Sequence, residues 1–325
     1  MESKPETSAE IPCFLAASQI FMIHGRGAYE AWMVRRPDNT HLQLVDSDYY
    51  SWPSQEAAGK VLEFLNHYLK TEACPAPERV GIQMRLGNQR WNWRKEPNWP
   101  VPGTEYIKWH FRHEQSLATT PPALGSSDAR FSYSAQKRLT GDNGVSFQSL
   151  PFEEDVEMAG HLAATLCISS TAPDADVVVL AWAIDEHGRA VAYGANSNEP
   201  EPLAKGFLRV SHRKTNPEQS LPWRPWYTHL QNDLMPLQGP GDVVEITVEI
   251  MPAARVRKGW ILRVDICPSE NQPNIPEYNG PSMRLWYGET HSQSTLDTLH
   301  VGGKRTKFIM CPVVPRSEDY PGCIT

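Results

Sequence analysis

The chain reads as mainly β: a sandwich of antiparallel sheets preceded by a short α/β segment. Three observations predict this. Residues 243–266 write two strands with a break between them, every well-marked segment beyond Pro151 is a strand, and before Thr71 the order is strand, helix, strand, helix. In 243–250, Val244, Ile246, Val248 and Ile250 alternate with Glu245, Thr247 and Glu249. Residues 252–259 interrupt with Pro252 and a basic turn, Arg255, Arg257, Lys258 and Gly259. Then Trp260, Leu262, Val264 and Ile266 share one face, with Ile261, Arg263 and Asp265 on the other. A period of two gives one buried and one wet face, so 243–266 is expected as a hairpin of the sandwich.

The other elements follow in order. Residues 1–10 are polar and charged and are expected to be disordered. Residues 11–17 are a short apolar run, read as a buried strand, and 24–34 has helical spacing with Tyr29, Trp32 and Met33 apolar. A second strand follows at 41–45. Ser54 caps a helix over 55–70, whose Ala58, Val61, Leu62, Leu65 and Leu69 form one apolar stripe. The α/β segment, 11–70, is too short to hold a parallel sheet by itself. Residues 71–110 read as a linker, opening on Cys74-Pro75-Ala76-Pro77 and carrying Trp91, Trp93 and Trp99, with alternation resuming over 80–86. The sandwich occupies 111–325, with strands at 162–169, 177–184, 207–211, 243–250, 260–266 and 308–314.

Composition narrows the function classes. A chain of 325 residues, 40% hydrophobic, 21% charged and 10% aromatic, is ordinary for a globular protein. A net charge of −7, with basic clusters only at 255–258 and 304–307, argues against nucleic-acid binding. The six cysteines form no C-x-x-C pair and no disulfide framework. No apolar run approaches the roughly 18–20 residues that span a bilayer, and 1–10 has no secretory core. The expectation is a cytoplasmic protein that binds neither nucleic acid nor membrane.

Ordered motifs then carry a resemblance. Residues Glu154-Asp155-Val156-Glu157-Met158-Ala159-Gly160-His161-Leu162, Ile168-Ser169-Ser170-Thr171-Ala172-Pro173-Asp174-Ala175-Asp176, Asp185-Glu186-His187-Gly188-Arg189 and Gly206-Phe207-Leu208-Arg209-Val210-Ser211-His212-Arg213 come first. Arg257-Lys258-Gly259-Trp260-Ile261-Leu262-Arg263-Val264, Leu299-His300-Val301-Gly302-Gly303 and Pro312-Val313-Val314-Pro315 complete the series. Together they resemble the C-terminal jelly-roll of the CocE/NonD serine hydrolases, which include cocaine esterase, cephalosporin acylases and X-Pro dipeptidyl-peptidases. Upstream, Val61–Lys70 resembles the last helix of that family's α/β-hydrolase domain. Ile11–Ser18 is similar to the strand leading to its catalytic acid, and His24-Gly25-Arg26-Gly27-Ala28-Tyr29-Glu30-Ala31-Trp32 to the motif that follows. The fold implied is a galactose-binding-like jelly-roll sandwich preceded by an α/β-hydrolase remnant. The implied chemistry is cofactor-free hydrolysis of acyl esters, amides or X-Pro peptides.

The residues for that chemistry are not legible here. A serine hydrolase needs an activated hydroxyl, an imidazole and an orienting acid, with the serine in a G-x-S-x-G elbow. Gly144-Val145-Ser146-Phe147-Gln148 and Gly280-Pro281-Ser282-Met283 lack the elbow pattern. After Ser18, where the resemblance places the acid, stand Gln19, Ile20 and Phe21; after the next strand stand Asp46, Ser47 and Asp48. His24 and Asp46 are the nearest suitable residues, the blander reading being a polar loop histidine and a turn or cap. Trp223, Trp226 and Tyr227, set between prolines, are candidates for a ligand groove, against simple packing of the sandwich. His212, His229 and His300 have no metal-ligand spacing, and no metal is expected. The reading is a truncated or divergent hydrolase homologue without a recognisable nucleophile. Alternatives are a non-catalytic sandwich binding a small molecule, peptide or partner, and a non-hydrolytic enzyme of a small-molecule pathway. An exposed sheet edge and helix face call for a protein partner over 11–70, or for repacking of that segment on the sandwich.

Overall fold

Alternation becomes two sheets around one core in the computed structural model, which describes residues 11–19, 22–34, 37–45, 55–88, 90–123, 128–135, 144–193, 202–251, 253–268, 296–302, 305 and 307–316. The expected disordered start, 1–10, lies outside these. In chain order the strands are β1 (Cys13–Ser18), β2 (Thr40–Val45), β3 (Val80–Gly87), β4 (Arg90–Glu96), β5 (Glu105–Phe111), β6 (Leu117–Ala118), β7 (Ala129–Ser134), β8 (Val145–Gln148), β9 (Val156–Ala159), β10 (Leu162–Ser170), β11 (Asp176–Ile184), β12 (Ala204–Arg209), β13 (Val244–Ile250), β14 (Ala253–Val256), β15 (Ile261–Cys267), β16 (Leu296–Val301) and β17 (Phe308–Val313). Two α-helices, α1 (Met22–Val34) and α2 (Gln55–Leu69), precede β3. The larger sheet runs β1-β2-β3-β14-β9-β17-β10-β16-β7, with β13 on β10, β4 on β3 and β5 on β17. The smaller runs β12-β11-β15-β8. This is the expected mainly-β sandwich.

The expected hairpin is not one. β13 pairs with β10, from Leu162↔Ile250 to Ile168↔Val244, in the larger sheet. β15 pairs with β11 and β8 in the smaller. The basic break between them contains β14, which pairs with β9 and, at Arg85↔Ala254, with β3. Period two fixes which side chains turn inward, but not which strand lies alongside. Ile246, Val248 and Ile250 therefore enter the same core as Leu262, Val264 and Ile266, but from opposite sheets.

The α/β segment merges with the sandwich. β1, β2 and β3 are parallel, and residues 71–110, expected as linker, hold β3, β4 and β5. Tyr29 and Trp32 of α1 pack with Leu42, Leu44 and Ile82 on one face of these strands, in a cluster shared with Ala159, Met251 and Val314 of the sandwich. α2 covers the other face: Phe64 lies 5.6 Å from Phe14 and 5.7 Å from His41, ring to ring. Tyr68 Oη is 2.9 Å from His41 Nε2. The expected stripe is thus split. Leu62, Leu65 and Leu69 turn outward at 56%, 41% and 75% exposure, because the aromatic face wins the sheet.

Several family motifs prove to be side-chain-capped turns. In Asp185–Arg189, Asp185 Oδ1 accepts from the amides of His187 at 2.9 Å and Arg189 at 2.8 Å, while Gly188 takes the left-handed φ of 77°. Asp174 receives the amide of Ser211 at 2.8 Å and its hydroxyl at 2.6 Å. Arg209 grips Asp176 with two bonds, 2.9 and 3.1 Å. These carboxylates face Asp297 of β16, which is fully buried between Ser170 and Tyr133 on the flanking strands. Burial, reinforced by Asp176 and Asp174 against the help of Ser170, pushes the Asp297 carboxyl up to about 6. A raised folded-state pKa stabilises the fold below the ordinary carboxylate range, and that stability is lost as pH rises through about 6. We expect Asp297→Asn to flatten the dependence of Tm on pH between ~4 and ~7, and to gain roughly 2–3 kcal/mol relative to wild type at pH 8. Unfolding curves across that range test it; an unchanged profile contradicts it.

Candidate functional site

The position after β1, where the resemblance places a catalytic acid, is held by Gln19. Gln19 is buried; its amide N–H bonds to the Val45 carbonyl at 2.9 Å, and its side-chain Nε2 donates to the Gln83 carbonyl at 2.9 Å. The position thus ties β1 to β2 and β3. The backbone of His24 lies in α1 rather than in a loop; its side chain, and all of Asp46, lie outside the described residues.

Trp223, Trp226 and Tyr227 do come together, on the loop between β12 and β13. They meet α1 there, in a cluster that the sequence did not reveal. Glu249 of β13 is only 5% exposed, yet it is charged. His161, just before β10, places Nδ1 at 3.1 Å from Glu249 Oε1, and Arg26 of α1 places Nη1 at 3.3 Å from Oε2. Burial works against the Glu249 carboxylate, but His161, Arg26 and Arg224 outweigh it and hold its pKa below the ordinary range. Arg26 also reaches Glu30 at 3.7 Å, one turn on, and Glu30 in turn pairs with buried Arg224. Both guanidinium groups lie over Trp226, at 5.9 Å for Arg26 and 5.4 Å for Arg224. Trp223 stacks on Tyr106 with centroids 5.1 Å apart and planes 8° off parallel, and lies 5.8 Å from the His161 ring. Tyr227 is buried and donates its hydroxyl to the Thr247 carbonyl.

Two arginines balance two glutamates, so the cluster first of all fastens α1 to the sandwich. The two indoles stay half-buried and present planar apolar surface beside cations. Arg26 and Glu30 sit one turn apart in the helical stretch, which is the sequence signal available for this role. Their partners are 160 residues and more away in sequence, so nothing local announces them.

A serine hydroxyl also meets an imidazole: Ser169 Oγ and His300 Nε2 are 2.9 Å apart on β10 and β16. Both are buried, and His300 Nδ1 has no hydrogen-bond partner, so no acid orients the ring as a hydrolase requires. Among the described residues no group of three or more His, Cys, Asp or Glu is placed to hold a metal ion. No helix among them is long and apolar enough to cross a membrane.

Residues 74–310 match the family described as the X-Pro dipeptidyl-peptidase C-terminal non-catalytic domain. The chain belongs to that family. A CocE/NonD family hydrolase from Staphylococcus aureus superimposes with a TM-score of 0.80 at 22% identity, covering 94% of this chain and 54% of that one. An aminopeptidase from a marine-sediment archaeon, Thaumarchaeota archaeon, gives a TM-score of 0.64 at 14% identity, over 94% and 55%. A protein provisionally named a serine esterase in Mycobacterium bovis is 22% identical over 271 residues, 74% of this chain and 41% of its own length. The chain therefore spans about half the length of the solved relatives, and less of the curated ones. At these identities the structural likeness establishes fold.

The ionic cluster joins α1 to the sandwich through Arg26, Glu30, Arg224 and Glu249. We expect Glu249→Gln to cost about 3 kcal/mol near neutral pH, since it leaves His161 and Arg26 facing a neutral amide. Because the folded-state pKa is depressed, wild-type stability is present above the ordinary value of 4.5 and falls away as pH drops below it. The gap between variant and wild type should narrow in acid. Paired urea titrations at pH 7 and pH 3.5 measure this, and an equal gap at both would refute the role of the charge.

Proposed function

We propose that this chain is the C-terminal, non-catalytic part of a CocE/NonD-type serine hydrolase, and that the nucleophile of any hydrolysis is supplied by residues outside this sequence. The observation that carries the reading is the fused sheet. Parallel strands β1–β3 continue into the jelly-roll, yet β1 is followed by Gln19, bonded into the sheet, where the resemblance places the acid. The sandwich then supplies a rigid wall and an anchor for α1. The proposal includes a protein partner over residues 11–70. Treatment of the pure chain with a fluorophosphonate, followed by intact-mass spectrometry, tests the reading. No stoichiometric adduct is expected; one modified serine per chain would show a working nucleophile and overturn it.

The half-buried indoles favour a second reading, in which a small molecule or peptide binds without being cleaved. Trp223 and Trp226 lie beside Tyr106 and Arg26, a pairing suited to a flat apolar group with a carboxylate nearby. Titration with an X-Pro dipeptide, followed by tryptophan fluorescence, should give a saturable change that is lost in Trp223→Ala. A linear response without saturation disposes of this reading.

A further inference from the structure

Two histidines that the proposed function leaves unused meet on the loop between β12 and β13. His212 and His229 stand 17 residues apart in sequence, yet their Nδ1 atoms end 3.4 Å from each other. A short ladder brings them together: Asn216 donates its amide to the Trp226 carbonyl at 2.8 Å, Thr215 bridges Tyr227, and Thr228 donates to the Lys214 carbonyl at 3.1 Å. The ring planes lie 43° apart, so the rings converge on their nitrogens rather than stack. His212 is fixed by its neighbours, since Val210 donates its amide to the Ala175 carbonyl at 2.8 Å and Asp174 caps Ser211. His229 takes a left-handed φ of 49°, uncommon for a residue with a Cβ. It is exposed, and His212 is half-buried, so the pair is open to solvent.

We propose that His212 and His229 are two ligands of a divalent first-row metal ion of the Zn²⁺ type, bound between their Nδ1 atoms. The separation carries the assignment. Two nitrogens each about 2.0–2.1 Å from a tetrahedral ion lie roughly 3.3–3.4 Å apart. As a hydrogen bond the same gap is long, since N–H donors favour about 2.7–3.2 Å. When both rings carry their proton on Nε2, two lone pairs face each other, and a shared cation relieves them. Imidazole nitrogen suits Zn²⁺, Ni²⁺ or Cu²⁺, whereas Mg²⁺ and Ca²⁺ take oxygen ligands. The surrounding charges permit a cation here. Arg26, whose charge reaches His229, is balanced by Glu249 at 3.3 Å and Glu30 at 3.7 Å. Lys214 pairs with Asp233, and Arg213 donates to the Val210 carbonyl at 3.0 Å. Among the described residues no group of three His, Cys, Asp or Glu forms, so the protein supplies two ligands. The ion keeps its remaining positions for water or a small donor ligand, and binds less tightly than a structural zinc held by four side chains. The site stands apart from the hydrolase reading and uses no residue outside this sequence.

Calorimetric titration of the metal-free full chain with Zn²⁺ tests the site. One equivalent should bind saturably and resist an excess of Mg²⁺. His212→Ala and His229→Ala should each weaken that equivalent roughly tenfold or more, while keeping the wild-type circular dichroism. His187→Ala, at an exposed histidine elsewhere, should leave it unchanged. With Cu²⁺ in place of Zn²⁺, the electron paramagnetic resonance spectrum should be split by two imidazole nitrogens, and by one in either variant. A chain that binds no Zn²⁺ saturably overturns the proposal. So does an equivalent whose affinity is unchanged in either His212→Ala or His229→Ala, or a Cu²⁺ spectrum with the same nitrogens in wild type and variants. None of these outcomes depends on the result of fluorophosphonate labelling.

Discussion

One buried carboxylate holds the two parts of this protein in register. Glu249 is buried on β13 of the sandwich, where an isolated charge would be intolerable. It is kept ionised by an imidazole from the sandwich and a guanidinium from α1. That sharing makes the position of α1 a condition of the sandwich's own electrostatics. Arg26 and Glu30 face the sandwich together, Arg224 answers Glu30, and Trp226 carries both cations. The loop holding Trp223 to Tyr227 is thereby fixed as well.

The same junction decides why a short α/β segment is ordered at all. Two parallel strands and two helices cannot make a core of their own, but β3 gives them a third strand that passes into the jelly-roll at Ala254. Tyr29 and Trp32 then share a core with Met251 and Val314. The cost of the arrangement shows on α2, whose leucines are left outside. Gln19, after β1, serves as a fastening between strands.

For function, the consequence is a division of labour. The described residues contain a scaffold, an anchored helix and a face with two reachable indoles. Among the described residues, the pair of Ser169 with His300 is buried and lacks an acid, which suits a bond between neighbouring strands. This agrees with a family whose description is non-catalytic.

Much of the fold was legible in the sequence, because period-two alternation in strands such as 244–250 and 261–267 reports burial directly. The turn motifs were legible for a similar reason: Asp185 with Gly188, and Asp174 with Ser211, encode caps in residue types. Pairing was not. The sequence places β13 and β15 next to each other, and only the tertiary structure sends them to opposite sheets, because alternation specifies a face and not a neighbour. The helix 55–69 announced its apolar residues, but which of two apolar faces meets the sheet depended on Phe14 and His41. The aromatic trio at 223–227 was visible as composition. The charges that surround it come from strands and helices far apart in the chain. Sequence by itself determined what each residue would seek, water or core, turn or strand; the tertiary structure decided with whom, since buried charges and shared cores are settled only when distant segments meet.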